Sequence, residues 1–90
     1  MLLEWDAHKR QAVLAARGID FVALAVELFD GRPIITVASP RGDEERFVTI
    51  GEHAGRVFAL VWTRRDEAVR LITARRARHG ETRNYRAHFG

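Results

Sequence analysis

Between Arg46 and Ala74 the chain runs RFVTIGEHAGRVFALVWTRRDEAVRLITA, three β-prone segments divided by two turn signals. RFVTI (46–50), VFALVWT (57–63) and AVRLITA (68–74) are rich in β-branched and aromatic residues, and GEHAG and RRDE between them leave room only for reversals. Upstream, IITV (34–37) is a fourth segment of the same kind, set off by SPRGDEE. Four consecutive strands with short links predict an antiparallel meander. Strict alternation in the last strand places Val69, Leu71 and Thr73 on one face and Arg70, Ile72 and Ala74 on the other.

Working outward, helical signals flank this region. Asp6 precedes AHKRQAVLAAR, which carries Val13 and Leu14 on one side and ends at Gly18, where a left-handed cap belongs. Asp20 caps FVALAVELF, whose Phe21, Leu24, Ala25 and Leu28 follow the 3, 4, 7 spacing of a buried face. Asp30-Gly31-Arg32-Pro33 breaks the pattern before the strands begin. From Arg75 the pattern turns helical again, with Gly80 as a weak point. The expected architecture is one α+β domain over residues 1–90: two N-terminal helices, a four-stranded antiparallel sheet and a C-terminal helix, with the helices on one face. Trp62 belongs to the core of a central strand, and Trp5 is expected to pin the first helix to the sheet.

Ninety residues allow one core, burying roughly 60–65% of the unfolded surface. The chain has no cysteine, so neither disulfides nor thiolate metal sites contribute. The acidic start, MLLEWDAHKR, lacks the basic flank and apolar stretch of an export signal, and no apolar run approaches the roughly 20 residues that span a bilayer. A cytoplasmic protein with no membrane partner is expected.

Charge is polarised. Residues 61–90 hold eight arginines against three acids, whereas residues 1–60 hold seven basic and nine acidic groups. Only Lys9 of the fifteen basic residues is a lysine, a preference for guanidinium forks that grip phosphate bidentately. Arg64, Arg65, Arg70, Arg75, Arg76, Arg78, Arg83 and Arg86 therefore suggest an anionic polymer, the alternative being a solvated basic surface paired with acids such as Glu81. If the tail is helical from Arg75, then Arg75, Arg78 and Arg86 form one stripe.

Other chemistries lack support. Ser39, the single serine, sits beside Pro40 in a turn, no two histidines share a helical i, i+4 spacing for a metal, and the glycines form no phosphate-cradling loop. RNA cleavage without a metal needs a base for the 2′-hydroxyl, positive charge for the phosphorane and an acid for the leaving oxygen. Arginine can supply the charge, and His79, His53, Glu81 and Tyr85 are candidates for moving protons. Residue chemistry alone does not choose among them.

Taken together, EWDAHKRQAVLAARGIDF, ERFVTIGEHAGRVFALVWTRR and VRLITARRARHGETRNY closely resemble the BrnT toxins of type II toxin–antitoxin systems. The most specific matches are Trp5, Asp6, Lys9, Gly18 and Phe21 at one end and Arg70, Ile72, Ala74, Arg75, Ala77, Glu81 and Tyr85 at the other. The resemblance implies a RelE-like fold, endonucleolytic cleavage of mRNA that arrests translation, and neutralisation by a BrnA-like ribbon-helix-helix antitoxin, through which DNA is contacted only indirectly. A homodimer within the complex is compatible with it. No cofactor and no metal are implied. Catalytic candidates are then Arg64, Arg65, Arg75, Glu81 and Tyr85, and RNA-binding candidates are Lys9, Arg70, Arg76, Arg78 and Arg83. The chain departs from the family at Val13, usually asparagine, at Ala16 and Arg17, usually Lys-His, and at Thr73, usually serine. The changes at Val13, Ala16 and Arg17 reduce the polar face of the first helix; that at Thr73 is milder. A module that binds RNA or a partner without cleaving is the alternative reading.

Overall fold

The computed structural model describes all residues, Met1 to Gly90. In chain order the elements are β1 (Leu2–Glu4), α1 (Ala7–Arg17), α2 (Phe21–Leu28), β2 (Ile34–Ala38), β3 (Arg46–His53), β4 (Arg56–Arg65), β5 (Ala68–Arg76) and α3 (His79–Phe89). The meander β2–β3–β4–β5 is antiparallel throughout, as the sequence implies. β1 then adds in parallel to the far side of β5, pairing Leu2 to Glu4 with Ala68 to Arg70. The sheet is therefore mixed and five-stranded, in the order β1-β5-β4-β3-β2. Three residues are too few to show a period of two, which is why β1 is silent in the sequence.

Both N-terminal helices start and stop where the capping chemistry places them. The Asp6 carboxylate accepts from the Lys9 N–H at 3.0 Å, and Gly18, at φ +68°, donates its own N–H to Leu14. Asp20 accepts from the Val22 and Ala23 N–H groups while also taking a two-pronged contact from Arg10 at 3.0 and 2.8 Å. One carboxylate thus caps α2 and ties α1 to it. Trp5 does not pin α1 to the sheet; it is 36% exposed beneath the Arg10 guanidinium, 5.6 Å from the ring centroid. Val13 is the buried residue of α1, while Leu14 faces outward.

The helices occupy both faces of the sheet, not one. α1 and α2 bury Val13, Phe21, Leu24, Ala25 and Leu28 against Leu60, Trp62, Leu71 and Ala74. α3 lies on the opposite face, where Tyr85 packs with Val48, Ile50, Val57 and Ala59. The C-terminal helix also starts later than its pattern suggests. Arg75 and Arg76 remain in β5, Arg78 is the N-cap residue, and Gly80 falls in the first turn. A helix-wide stripe of Arg75, Arg78 and Arg86 consequently does not exist.

A bulge in β5 corrects the alternation. Trp62 pairs with Leu71, but Val61 pairs with Thr73, so Ile72 is an extra residue. Beyond it the phase is reversed. Ala74 joins Leu71 on the α1–α2 face, and Thr73 and Arg75 join Arg70 on the other. Five residues apart in sequence, Arg70 and Arg75 would otherwise point to opposite sides.

Gly51 sits in β3 directly beneath α2. A Cβ there would lie 2.7 Å from Leu28 Cδ2 and 3.1 Å from Ile34 Cγ2, and Leu28 is fully buried with no room to swing aside. Gly51→Ala should therefore cost about 1–3 kcal/mol by overpacking, read as a lower urea midpoint.

Candidate functional site

α3 packs on β3 and the first residues of β4 and leaves the β4–β5 face beyond Ala59 without a helical cover. The uncovered strip carries Val61, Thr63, Arg70, Thr73 and Arg75, all half-buried, with exposed Arg65 at its end. Its rows follow from the ladder. Arg46, Thr63 and Arg70 lie side by side on β3, β4 and β5, so Arg46 and Arg70 flank Thr63 at about 10 Å between Cα atoms. Arg65 pairs with Ala68 and is therefore a diagonal neighbour of Arg70. Thr73 and Arg75 continue the strip towards the start of α3. Arg46 was not legible as a site residue, since a single arginine opening RFVTI carries no motif; only its cross-strand register brings it here.

At the α3 end the strip is closed by a tight ion pair. Arg75 donates to both Glu81 carboxylate oxygens, at 2.7 and 3.1 Å, and the Arg78 N–H donates to Glu81 at 2.8 Å. The Arg75 hydrogen bonds are the main reason the Glu81 carboxyl is held below its usual 4.5, and Glu81 in turn raises Arg75. Because the folded value is the lower one, the pair's stabilisation is present above the unfolded value and is lost as pH falls through the folded one. Acid denaturation of Glu81→Gln should accordingly show a shallower loss of stability below about pH 4.5 than the unaltered chain.

Of the other candidates, Arg70 also reaches Glu4 at 3.5 Å and lines a cleft of about 480 Å³ with Lys9 and His8, at the β5 edge where β1 ends. Lys9 thus joins Arg70. Arg83 donates to His79 Nε2 at 2.6 Å along α3. Arg78 is exposed at the helix start. Three residues lie elsewhere. Arg64 projects to the α1–α2 face, over the Phe47 and Trp62 rings at 5.8 and 5.9 Å. Arg76 projects to that face too, over Phe58 at 5.7 Å. Tyr85 is 3% exposed, and its hydroxyl donates to the Pro33 carbonyl at 3.0 Å.

An α+β fold with an uncovered strip of arginines matches one known family over residues 5–81, described as the ribonuclease toxin, BrnT, of type II toxin–antitoxin systems. The chain belongs to the BrnT family. No curated protein matches it individually. As a BrnT chain it is a ribonuclease toxin, which implies an RNA substrate and an antitoxin partner. The match ends at Glu81, so it covers Arg46, Arg65, Arg70, Arg75 and the Glu81 carboxylate, and stops before Arg83 and Tyr85. No helix is long and apolar enough to cross a membrane.

Proposed function

We propose that this BrnT chain is an endoribonuclease that cleaves mRNA on the uncovered β4–β5 strip, without a metal ion, and so arrests translation. The observation that carries the reading is the bulge at Ile72, which gathers Arg70 and Arg75 on one face with Arg65 and Arg46. Four guanidinium groups on one strip, of which Arg46, Arg70 and Arg75 also lie beside Glu44, Glu4 and Glu81, form a track for a phosphate backbone. Arg75, fixed at the closed end, is the group that meets the charge developing on the scissile phosphate. Glu81 is a positioning residue: ionised and doubly bonded to Arg75, it sets the direction of the guanidinium instead of donating a proton. Arg65, Arg70, Lys9, Arg78 and Arg83 hold flanking phosphates. Proton transfer falls to His79, which opens α3 two residues before Glu81 and has the side chain suited to neutral pH.

In this reading Tyr85 anchors α3, and Arg64 covers the aromatic cluster. Tyr85→Phe should lose about 0.5–1.5 kcal/mol of stability, for the hydrogen bond to Pro33, and retain cleavage below its unfolding temperature. A cleavage loss of tenfold or more in folded Tyr85→Phe would return the hydroxyl to the chemistry. The partner proposed is a ribbon-helix-helix antitoxin, which carries the contact with DNA, within a cytoplasmic complex that accommodates a toxin homodimer.

The deciding assay uses purified chain, a long single-stranded transcript and a metal chelator. Fragments are expected with the unaltered chain and, over the same time, only a trace with Arg75→Ala. An intact transcript with the unaltered chain would overturn the enzyme reading. A gel shift without fragments would favour a binding module, in which Arg75 serves the ion pair with Glu81 and no chemistry.

A further inference from the structure

A cleft of about 510 Å³ lies on the other face of the sheet, between the α1–α2 turn and the β3–β4 hairpin. Arg17, Arg56 and Arg76 line it together with His53 and Phe58. Its two carboxylates are already engaged, Asp20 by Arg10 and Glu27 by Arg32. None of the three arginines has a carboxylate partner: Arg17 donates only to the Thr73 hydroxyl and the Ala74 carbonyl, and Arg76 lies over the Phe58 ring. His53 Nδ1 is buried without a hydrogen-bond partner, and its ring is tilted against Phe58 at 6.4 Å. The cleft therefore offers unneutralised guanidinium groups beside two flat rings, the pairing that recognises a phosphate and a base.

The cleft is also joined to the arginine strip. β1 pairs only with Ala68 to Arg70, so the β5 edge beyond Leu71 carries no strand. Arg75 and Arg76 point to opposite faces across that edge. Arg17 bridges it, lining the cleft while bonding Thr73, whose side chain belongs to the strip.

We infer that this cleft is a second RNA subsite, which takes a phosphate and base of the strand flanking the scissile bond after it turns around the β5 edge. The inference rests on RNA being the substrate of the strip. Arg17 and Arg56 grip the flanking phosphate, with Arg76 at the crossing. The base lies against His53 and Phe58. Recognition thus extends to substrates longer than the strip can hold, and short oligonucleotides never reach it.

The probe is a 2′-O-methyl oligoribonucleotide, which cannot be cleaved, in a long form and a trinucleotide form, titrated over a range of salt. Each phosphate contact on single-stranded RNA contributes about 0.7 to the slope of log affinity against log salt, which is about fourfold in affinity at about 0.15 M salt. Arg56→Gln, at the exposed hairpin, should weaken the long probe by about that fourfold and flatten its slope by about 0.7. The double variant with Arg17→Gln should weaken it roughly fifteenfold. Trinucleotide affinity should not change. An unchanged slope and affinity for the long probe in Arg56→Gln would overturn the subsite while leaving the strip intact, and so would an equal loss for both probes. If the unaltered chain binds neither probe, the RNA reading of the strip fails together with this one.

Discussion

Arg75→Ala should slow RNA cleavage by about 10²- to 10³-fold, the usual cost of removing one preorganised donor from a developing oxyanion. The loss should be mainly in the rate at saturating RNA, because Arg46, Arg65 and Arg70 still hold the backbone on the same strip. Removing Arg75 also frees Glu81, leaving an unpaired carboxylate where negative charge accumulates. Arg75→Lys keeps the charge but not the fork, and one ammonium cannot match both Glu81 oxygens at 2.7 and 3.1 Å, so recovery should be partial. Glu81→Gln should fall between, with Arg75 present but held by fewer bonds. Single-turnover rates at saturating transcript, measured beside affinity for an uncleavable RNA, separate these effects. If Arg75→Ala lowers affinity and rate by the same factor, Arg75 is a phosphate grip and not the charge at the scissile bond.

The fold and the site were legible to different depths, for physical reasons. Local chemistry speaks clearly: Asp6, Gly18 and Asp20 cap helices because their side chains or backbone freedom satisfy orphan amides and carbonyls, and those positions are fixed within a few residues. The meander was readable because each strand follows a turn. Non-local features were not. β1 exists only because β5 offers it an edge, and α3 takes the opposite face because Tyr85, not a long apolar stripe, anchors it. The bulge at Ile72 was the costliest omission. It changes no composition and breaks no turn rule, yet it decides which side Thr73, Ala74 and Arg75 occupy. The arginine-rich tail was legible as a charge cluster, but its pattern put Arg75 on a helix and the structure puts it in β5. Family spacing selected Arg70, Arg75 and Glu81; the inserted residue puts the two arginines on one face, and Arg75 meets Glu81 at the helix start.

Trp62→Ala should be the most damaging change outside the site, at about 3–5 kcal/mol. A domain of this length has roughly 5–14 kcal/mol in total, so the variant would lose from about a fifth of its stability to nearly all of it. Trp62 is 7% exposed and holds several elements at once: it stacks on Phe47 at 4.6 Å, meets Phe29 edge-on at 5.9 Å and donates its indole N–H to Thr49 Oγ1 at 2.8 Å. Thr49 is fully buried and its hydroxyl also meets Thr36 at 2.8 Å, so the chain of contacts runs from β4 through β3 to β2. Trp62→Phe preserves the stack and leaves Thr49 one partner, and should cost nearer 1 kcal/mol for the lost bond, plus a smaller packing loss. The position matters for chemistry as well. Trp62 borders the register shift that returns Arg75 to the face of Arg70, and without its ring nothing of comparable size holds β4 in place there. RNA affinity should therefore fall in Trp62→Ala even at temperatures where circular dichroism still reports a folded sheet. Unchanged affinity in the folded variant would mean that the bulge is held by the β4–β5 backbone ladder alone, and that the arginine strip does not depend on the aromatic cluster behind it.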